Sequence, residues 1–217
     1  MSQSLTPISR HGKPLQIKSA IQYFEMYEQV VSRLPFSLIE QAIAQLLTAH
    51  ERRQNVFLFG NGGSAALASH FACDLGKGTL NGNNGKRFRV LALTDNVPLL
   101  TAWANDTCYE NIFAEQIQNF VEPGDIAFAI SGSGNSPNVL RALEVARNAG
   151  AINIGLAGFE GGKMKRLCNP CIIIPSNNMQ VVEDLHLSVT HSIFSVVKCR
   201  LESAESFQVA VGGAGSD

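Results

Sequence analysis

Apolar positions along Ile17 to Leu34 return at helical spacing, with Ile21, Phe24, Tyr27 and Val31 on one face, and predict a first helix. Beyond Pro35 a second amphipathic stretch runs through Leu38, Ile39, Ile43, Leu46 and Leu47. From Asn55 the pattern changes to short apolar runs alternating with amphipathic ones, the signature of a parallel sheet with helices on both faces. Strands are expected at Val56–Phe59, about Phe88–Leu93, Ile126–Ile130, Ile152–Leu156 and Cys171–Ile174. Helices are expected at Ala65–Leu75, Val97–Asn105, Glu110–Phe120 and Asn138–Ala149, with a long last one over about Gln180 to Leu201. The chain reads as a single α/β domain over residues 15–203. A poorly ordered arm is expected at 1–14 and a disordered, glycine-rich tail at 204–217.

The carboxyl ends of the strands carry the unusual loops, and in such sheets ligands bind there. The first strand stops at Gly60-Asn61-Gly62-Gly63, and Ser64 is expected to cap the helix that follows. Gly62 and Gly63 let the backbone come close to a ligand. Strand, glycine turn and helix N-terminus together make an anion site, because unpaired N–H groups and the positive end of the helix dipole point at it. The second strand ends in Thr94-Asp95-Asn96. The third is followed by Ser131-Gly132-Ser133-Gly134-Asn135-Ser136, a cluster of small donors able to wrap a phosphate without a positive side chain. Gly60 to Ala65 also fits the dinucleotide fingerprint, with Asp95 placed for a ribose, but the serine loop favours a phosphate ester.

His70 and Asp74 stand four residues apart, on one helix face. The last helix adds Glu183, Asp184, His186 and His191. Each alone is an ordinary surface or core residue. Beside a phosphate pocket, histidines and carboxylates together can move protons or hold a divalent metal. Asp184 and His191 are nearly eclipsed on an ideal helix, whereas Glu183 and His191 lie about 12 Å apart along its axis. A ligand shared by that last pair needs converging side chains or a neighbouring subunit. Cys168-x-x-Cys171 suggests a redox pair or half a zinc site, but no second pair accompanies it. Gly162-Lys163 is not a Walker loop.

Composition narrows the classes. A net charge of −1 without a basic block argues against non-specific nucleic-acid binding. No apolar run approaches the roughly 18 residues a membrane span needs. Five cysteines, an odd number spread over apparent core elements, favour reduced thiols and a cytoplasmic address.

The run GNGGS, then His70, TDN, ISGSGNS, GGKM and Glu183-Asp184-Leu185-His186 with His191 resembles the sugar-isomerase (SIS) domain family, and more narrowly its phosphoheptose isomerases. The likeness covers about residues 20–200. It implies a three-layer α/β sandwich around a five-stranded parallel sheet, and a homotetramer with active sites at subunit interfaces. It implies a phosphosugar substrate, interconversion of sedoheptulose 7-phosphate and glycero-manno-heptose 7-phosphate for heptose-containing glycans such as lipopolysaccharide, and bound zinc. The family's phosphate-binding serines fall on Ser64, Ser131, Ser133 and Ser136, and a substrate-binding asparagine on Asn61. The acid–base pair falls on Asp74 and His191, and the zinc ligands on His70, Asp74, Glu183 and His191. Gly62, Gly63, Asp95, Asn96, Gly132 and Glu183 complete the expected substrate contacts. Five positions depart from the family pattern. Asp74 stands for Glu, Glu183 for Gln, Gln180 for Asp, Gly78 for Arg and Gly132 for Thr. The competing function is a non-catalytic SIS module that senses phosphosugars or binds a protein.

Overall fold

The computed structural model describes residues 17–80 and 86–212, with side chains described to residue 203. The arm expected at 1–14 lies outside the described residues. Two helices lead: α1 (Ala20–Val31), whose N-cap Ser19 accepts from the Gln22 N–H, and α2 (Phe36–Arg52). Then follow β1 (Asn55–Gly60), α3 (Gly63–Cys73), β2 (Arg89–Ala92), α4 (Val97–Asp106) and α5 (Ala114–Gln118). The chain continues through β3 (Ile126–Ser131), α6 (Pro137–Asn148), β4 (Ile152–Ala157), β5 (Cys171–Ile173) and α7 (Met179–Gly212). All strand pairs are parallel, in the order β2-β1-β3-β4-β5. The chain leaves β1 towards β2 on one side and returns to β3 on the other. The point of reversal, and the crevice it opens, therefore lies between β1 and β3.

Side chains alternate across the sheet with the period of a strand. Val56, Leu58, Ile126, Phe128 and Ile130 enter one core with α1, α2, α3 and α7. Phe57, Phe59, Ala127 and Ala129 enter the other with α5 and α6. The small alanines of β3 sit beside the phenylalanines of β1, which keeps that layer filled without overpacking. Tyr27 bonds Ser188 at 2.7 Å, and Tyr23 donates to Asp184, so α1 is tied to α7.

Four expectations change. Ser64 does not cap α3: Gly62 holds that position, with φ 56°, and Ser64 lies inside the first turn. The chain must reverse out of β1 there, and a left-handed residue does so at least cost in glycine. The predicted helix 110–120 is broken into a short 3-10 turn, Tyr109–Asn111, and α5. Tertiary contacts override the local period, since consecutive Ile112 and Phe113 are both buried and Gln116 donates to the Leu93 carbonyl at 3.1 Å. The last turn after α3 widens into a π-turn, Asp74–Gly78. Finally, α7 runs on to Gly212, past the Leu201 expected as its end, and residues 213–217 lie outside the described ones.

Candidate active site

The loops after β1 and β3 meet at the switch point. Ser131 is buried at the end of β3, with its hydroxyl 3.2 Å from that of Ser136. The Ser133 hydroxyl accepts from the Asn135 backbone N–H at 3.2 Å, and the Asn135 amide donates to the Ser133 carbonyl at 3.0 Å. A second glycine loop, after β4, braces this one. Gly158 N–H donates to the Gly132 carbonyl at 2.9 Å, Met164 N–H to the Gly134 carbonyl at 3.0 Å, and Lys163 N–H to the Asn135 side chain at 3.1 Å. In the sequence Gly161-Gly162-Lys163-Met164 stands as a failed Walker motif and as part of the family likeness, with no structural role assigned to it. The paired glycines were the available signal. The result is a braced serine loop beside the N-termini of α3 and α6, whose positive dipole ends favour an anion.

Asn61 is held by two residues that the sequence did not single out. Its amide donates to Asn138 at 2.9 Å, the Asn138 amide donates back at 2.8 Å, and the Tyr109 hydroxyl donates at 3.1 Å. Asp95 and Asn96 have local partners: Asp95 accepts from the Ser69 hydroxyl, and Asn96 caps α4 through the Leu99 N–H at 3.2 Å.

At the other end of α3, three side chains converge. His70 Nε2 and His191 Nε2 are 3.2 Å apart, and Asp74 Oδ2 is 3.6 Å from the first and 3.8 Å from the second. The aspartate, shorter than the family's glutamate, still reaches both imidazoles. It is mostly covered, while the two histidine side chains are about half exposed. Asp74 Oδ2 has no hydrogen-bond partner among the described residues. An orphaned carboxylate oxygen beneath two imidazole nitrogens is a donor set that a divalent cation satisfies. All three ligand atoms lie within 4.8 Å of one another. Glu183, expected as a fourth ligand, is not part of this group. Its carboxylate oxygen lies 3.5 Å from where a Cβ would stand at Gly63, at the start of α3.

A cavity of about 260 Å³ runs between α3 and α7, from Gly63, Ser64 and Glu183 to His70. His186 lines it from the buried side. Its ring bonds the Ala157 carbonyl, and burial pushes its pKa from 6.5 down to about 4, so the ring is neutral at pH 7. Between those two pH values the unfolded chain binds a proton that the folded chain does not. The fold is therefore expected to lose about 3 kcal/mol through this group as pH falls from 6.5 to about 4, with no contribution above that window. Denaturant unfolding across that range checks this. His186→Gln should flatten that part of the profile, and a variant as acid-sensitive as the wild type would refute the assignment.

Two departures from the family pattern are matched by neighbours. A Cβ at Gly132 would stand 2.6 Å from Met179 Sδ, so the thioether fills the room a threonine would take. A Cβ at Gly78 would stand 2.6 Å from the Phe194 ring. Cys168 and Cys171 are free, buried thiols at the amino end of β5, away from the site. The hydrogen bond to Cys171, together with burial, pushes the Cys168 thiol far above the ordinary range.

A parallel sheet in this order, with a braced serine loop at its switch point and a His–Asp–His cluster beyond, defines an α/β domain of the sugar-isomerase type. The SIS domain pattern matches residues 22–158, and the chain belongs to the SIS domain family. Among its relatives are phosphoheptose isomerases. That of Paramagnetospirillum magneticum is 43% identical over 166 residues, covering 76% of this chain and 84% of that protein. That of Trichlorobacter lovleyi is 36% identical over 188 residues, covering 83% and 91%. The structure of phosphoheptose isomerase GmhA from Neisseria gonorrhoeae superposes with a TM-score of 0.75 at 26% identity, covering 83% of this chain and 96% of that one. No helix among the described residues is long and apolar enough to cross a membrane.

Proposed function

We propose that this chain is an aldose–ketose isomerase that interconverts sedoheptulose 7-phosphate and glycero-manno-heptose 7-phosphate. The observation that carries the reading is the convergence of His70, Asp74 and His191 at the far end of a cavity that begins at Gly63 and Ser64. Gly63 and His70 are seven residues apart on α3, about 10 Å along the axis. A sugar phosphate of five to seven carbons spans that gap with its anionic end on the amides and hydroxyls and its carbonyl end at the cluster.

In the ketose-to-aldose direction, Asp74 takes the proton from C1 while His191 gives a proton to the C2 oxygen, leaving an enediol. Asp74 returns its proton to C2, and the C1 hydroxyl loses its own to His191 as the aldehyde forms. Ser64, Ser131, Ser133 and Ser136 hold the phosphate, while Asn61, Gly62, Gly63 and Gly132 shape the cradle and Asp95, Asn96 and Glu183 line the sugar path. His70, Asp74 and His191 would hold a zinc ion, with Glu183 joining if its side chain swings away from Gly63. When bound, such an ion polarises the carbonyl and orients the hydroxyls. The half-exposed histidines, and the exposed Ile21, Phe24 and Phe36 of the leading helices, support an assembly that covers them, a homotetramer with its sites at the interfaces.

A panel of sugar phosphates of five to seven carbons, assayed with and without chelator alongside the metal content of the purified protein, tests this. Turnover of the seven-carbon ketose, lost with the metal, is the expected result. Binding without turnover on any sugar would make the chain a sensing module instead.

A further inference from the structure

Asn61 and Asn138 form a reciprocal amide pair whose orientation is determined. Asn138 Oδ1 accepts from the Val139 backbone N–H at 3.0 Å and from Asn61 Nδ2 at 2.9 Å, so it is an oxygen and its partner is a nitrogen. Asn61 Oδ1 is thereby fixed on the opposite side. It accepts from Asn138 Nδ2 at 2.8 Å, and the Tyr109 hydroxyl, 3.1 Å away, has to donate. Both lone pairs of Asn61 Oδ1 and one of its two N–H groups are now used. One N–H remains, and it can only donate.

The three residues come from three places: the turn after β1, the first turn of α6 directly behind the serine loop, and the 3-10 turn 109–111. Asn138 is 1% exposed, so its amide has little else to bond. Tyr109 is 57% exposed, yet its hydroxyl is spent on Asn61 and not left to water. Ordering an exposed side chain costs conformational freedom that nothing in the core requires. The arrangement makes sense if the position of the Asn61 amide matters.

We infer that Asn138 and Tyr109 are positioning residues that lock the Asn61 carboxamide, so that its single free N–H is a fixed donor to an oxygen of the bound sugar phosphate. The inference rests on the isomerase reading for the identity of the ligand. A locked donor binds a lone pair without reorganising. It also cannot flip to accept from a hydroxyl, so the site discriminates by hydrogen-bond polarity.

The test is a pair of double-mutant cycles on the full chain, with KM and kcat measured for the seven-carbon ketose phosphate. Asn138→Ala and Tyr109→Phe are each expected to raise KM about three- to tenfold, with the loss appearing in kcat/KM and not in kcat. In an Asn61→Ala background neither should add anything, because both act through Asn61. A merely structural role would give the same factor in both backgrounds and would overturn the inference. Should Asn138→Ala or Asn61→Ala fail to fold, Tyr109→Phe alone decides, since it removes one oxygen from an exposed ring, and an unchanged KM there refutes the lock. A wild-type chain that binds no sugar phosphate sinks the isomerase reading and this inference with it. A wild-type chain that turns the sugar over while both variants keep its KM sinks the inference alone.

Discussion

Asp74→Asn and His191→Ala are each expected to lose turnover by about 10²–10⁴-fold while still binding the sugar phosphate. Asparagine keeps the shape of the aspartate but removes the charge that accepts a proton. Alanine at 191 removes the imidazole that stands 3.2 Å from His70 and 3.8 Å from Asp74. Neither change touches the serine loop or the start of α3, where the anionic end of the substrate would sit, so affinity for it should survive. The measurement is a kinetic assay paired with calorimetric titration, with metal content determined on the same samples. Metal loss alone should reproduce the effect of His70→Ala, whereas a proton-transfer defect should persist in Asp74→Asn saturated with metal. Near-normal turnover in both Asp74→Asn and His191→Ala would remove the cluster from the mechanism.

Gly162→Ala is expected to act at the opposite end of the site. Gly162 has φ 53°, in the left-handed region that side chains rarely adopt, and an added Cβ would stand 2.5 Å from the Gly134 carbonyl oxygen and 2.6 Å from that of Ser133. The backbone strain costs roughly 1–3 kcal/mol and the overlap a similar amount. Because the overlap is with the serine loop itself, relief comes by pushing Ser133 and Gly134 out of place. Sugar-phosphate affinity should fall at least about tenfold, and the melting temperature should drop with it. The proton-transfer cluster is untouched, so kcat at saturation should change much less than KM. If Gly162→Ala lowers stability but leaves affinity for the sugar phosphate unchanged, the serine loop does not hold the phosphate.

The serine loop was legible as chemistry because six consecutive residues hold it, between a strand and a helix that periodicity marks. Its rigidity was not legible, because the brace comes from a loop after the next strand. His70 and Asp74 were legible as a pair through the geometry of one helix. The spacing of Glu183 and His191 already warned that they do not converge of themselves, and in the fold Glu183 turns towards Gly63. Ser64 was misread as a cap because capping preference is local, whereas the turn out of β1 demanded a left-handed residue at 62. The helix over 110–120 failed for a related reason: burial of both Ile112 and Phe113 overrode the local period.

The residues alone determined the order of strands and helices along the chain, the end of the sheet where the unusual loops gather, and the chemical types they carry. Those follow from side-chain period, glycine conformations and helix termini, all of which act over a few neighbouring residues. The tertiary structure decided which of these groups meet. His191 stands beside His70 across a sequence gap of 121 residues, and Asn61 is locked by Asn138 and Tyr109. Such pairings are set by the strand order and by the packing of α3 against α7, which depend on how two buried faces fit together and leave no local mark in the chain.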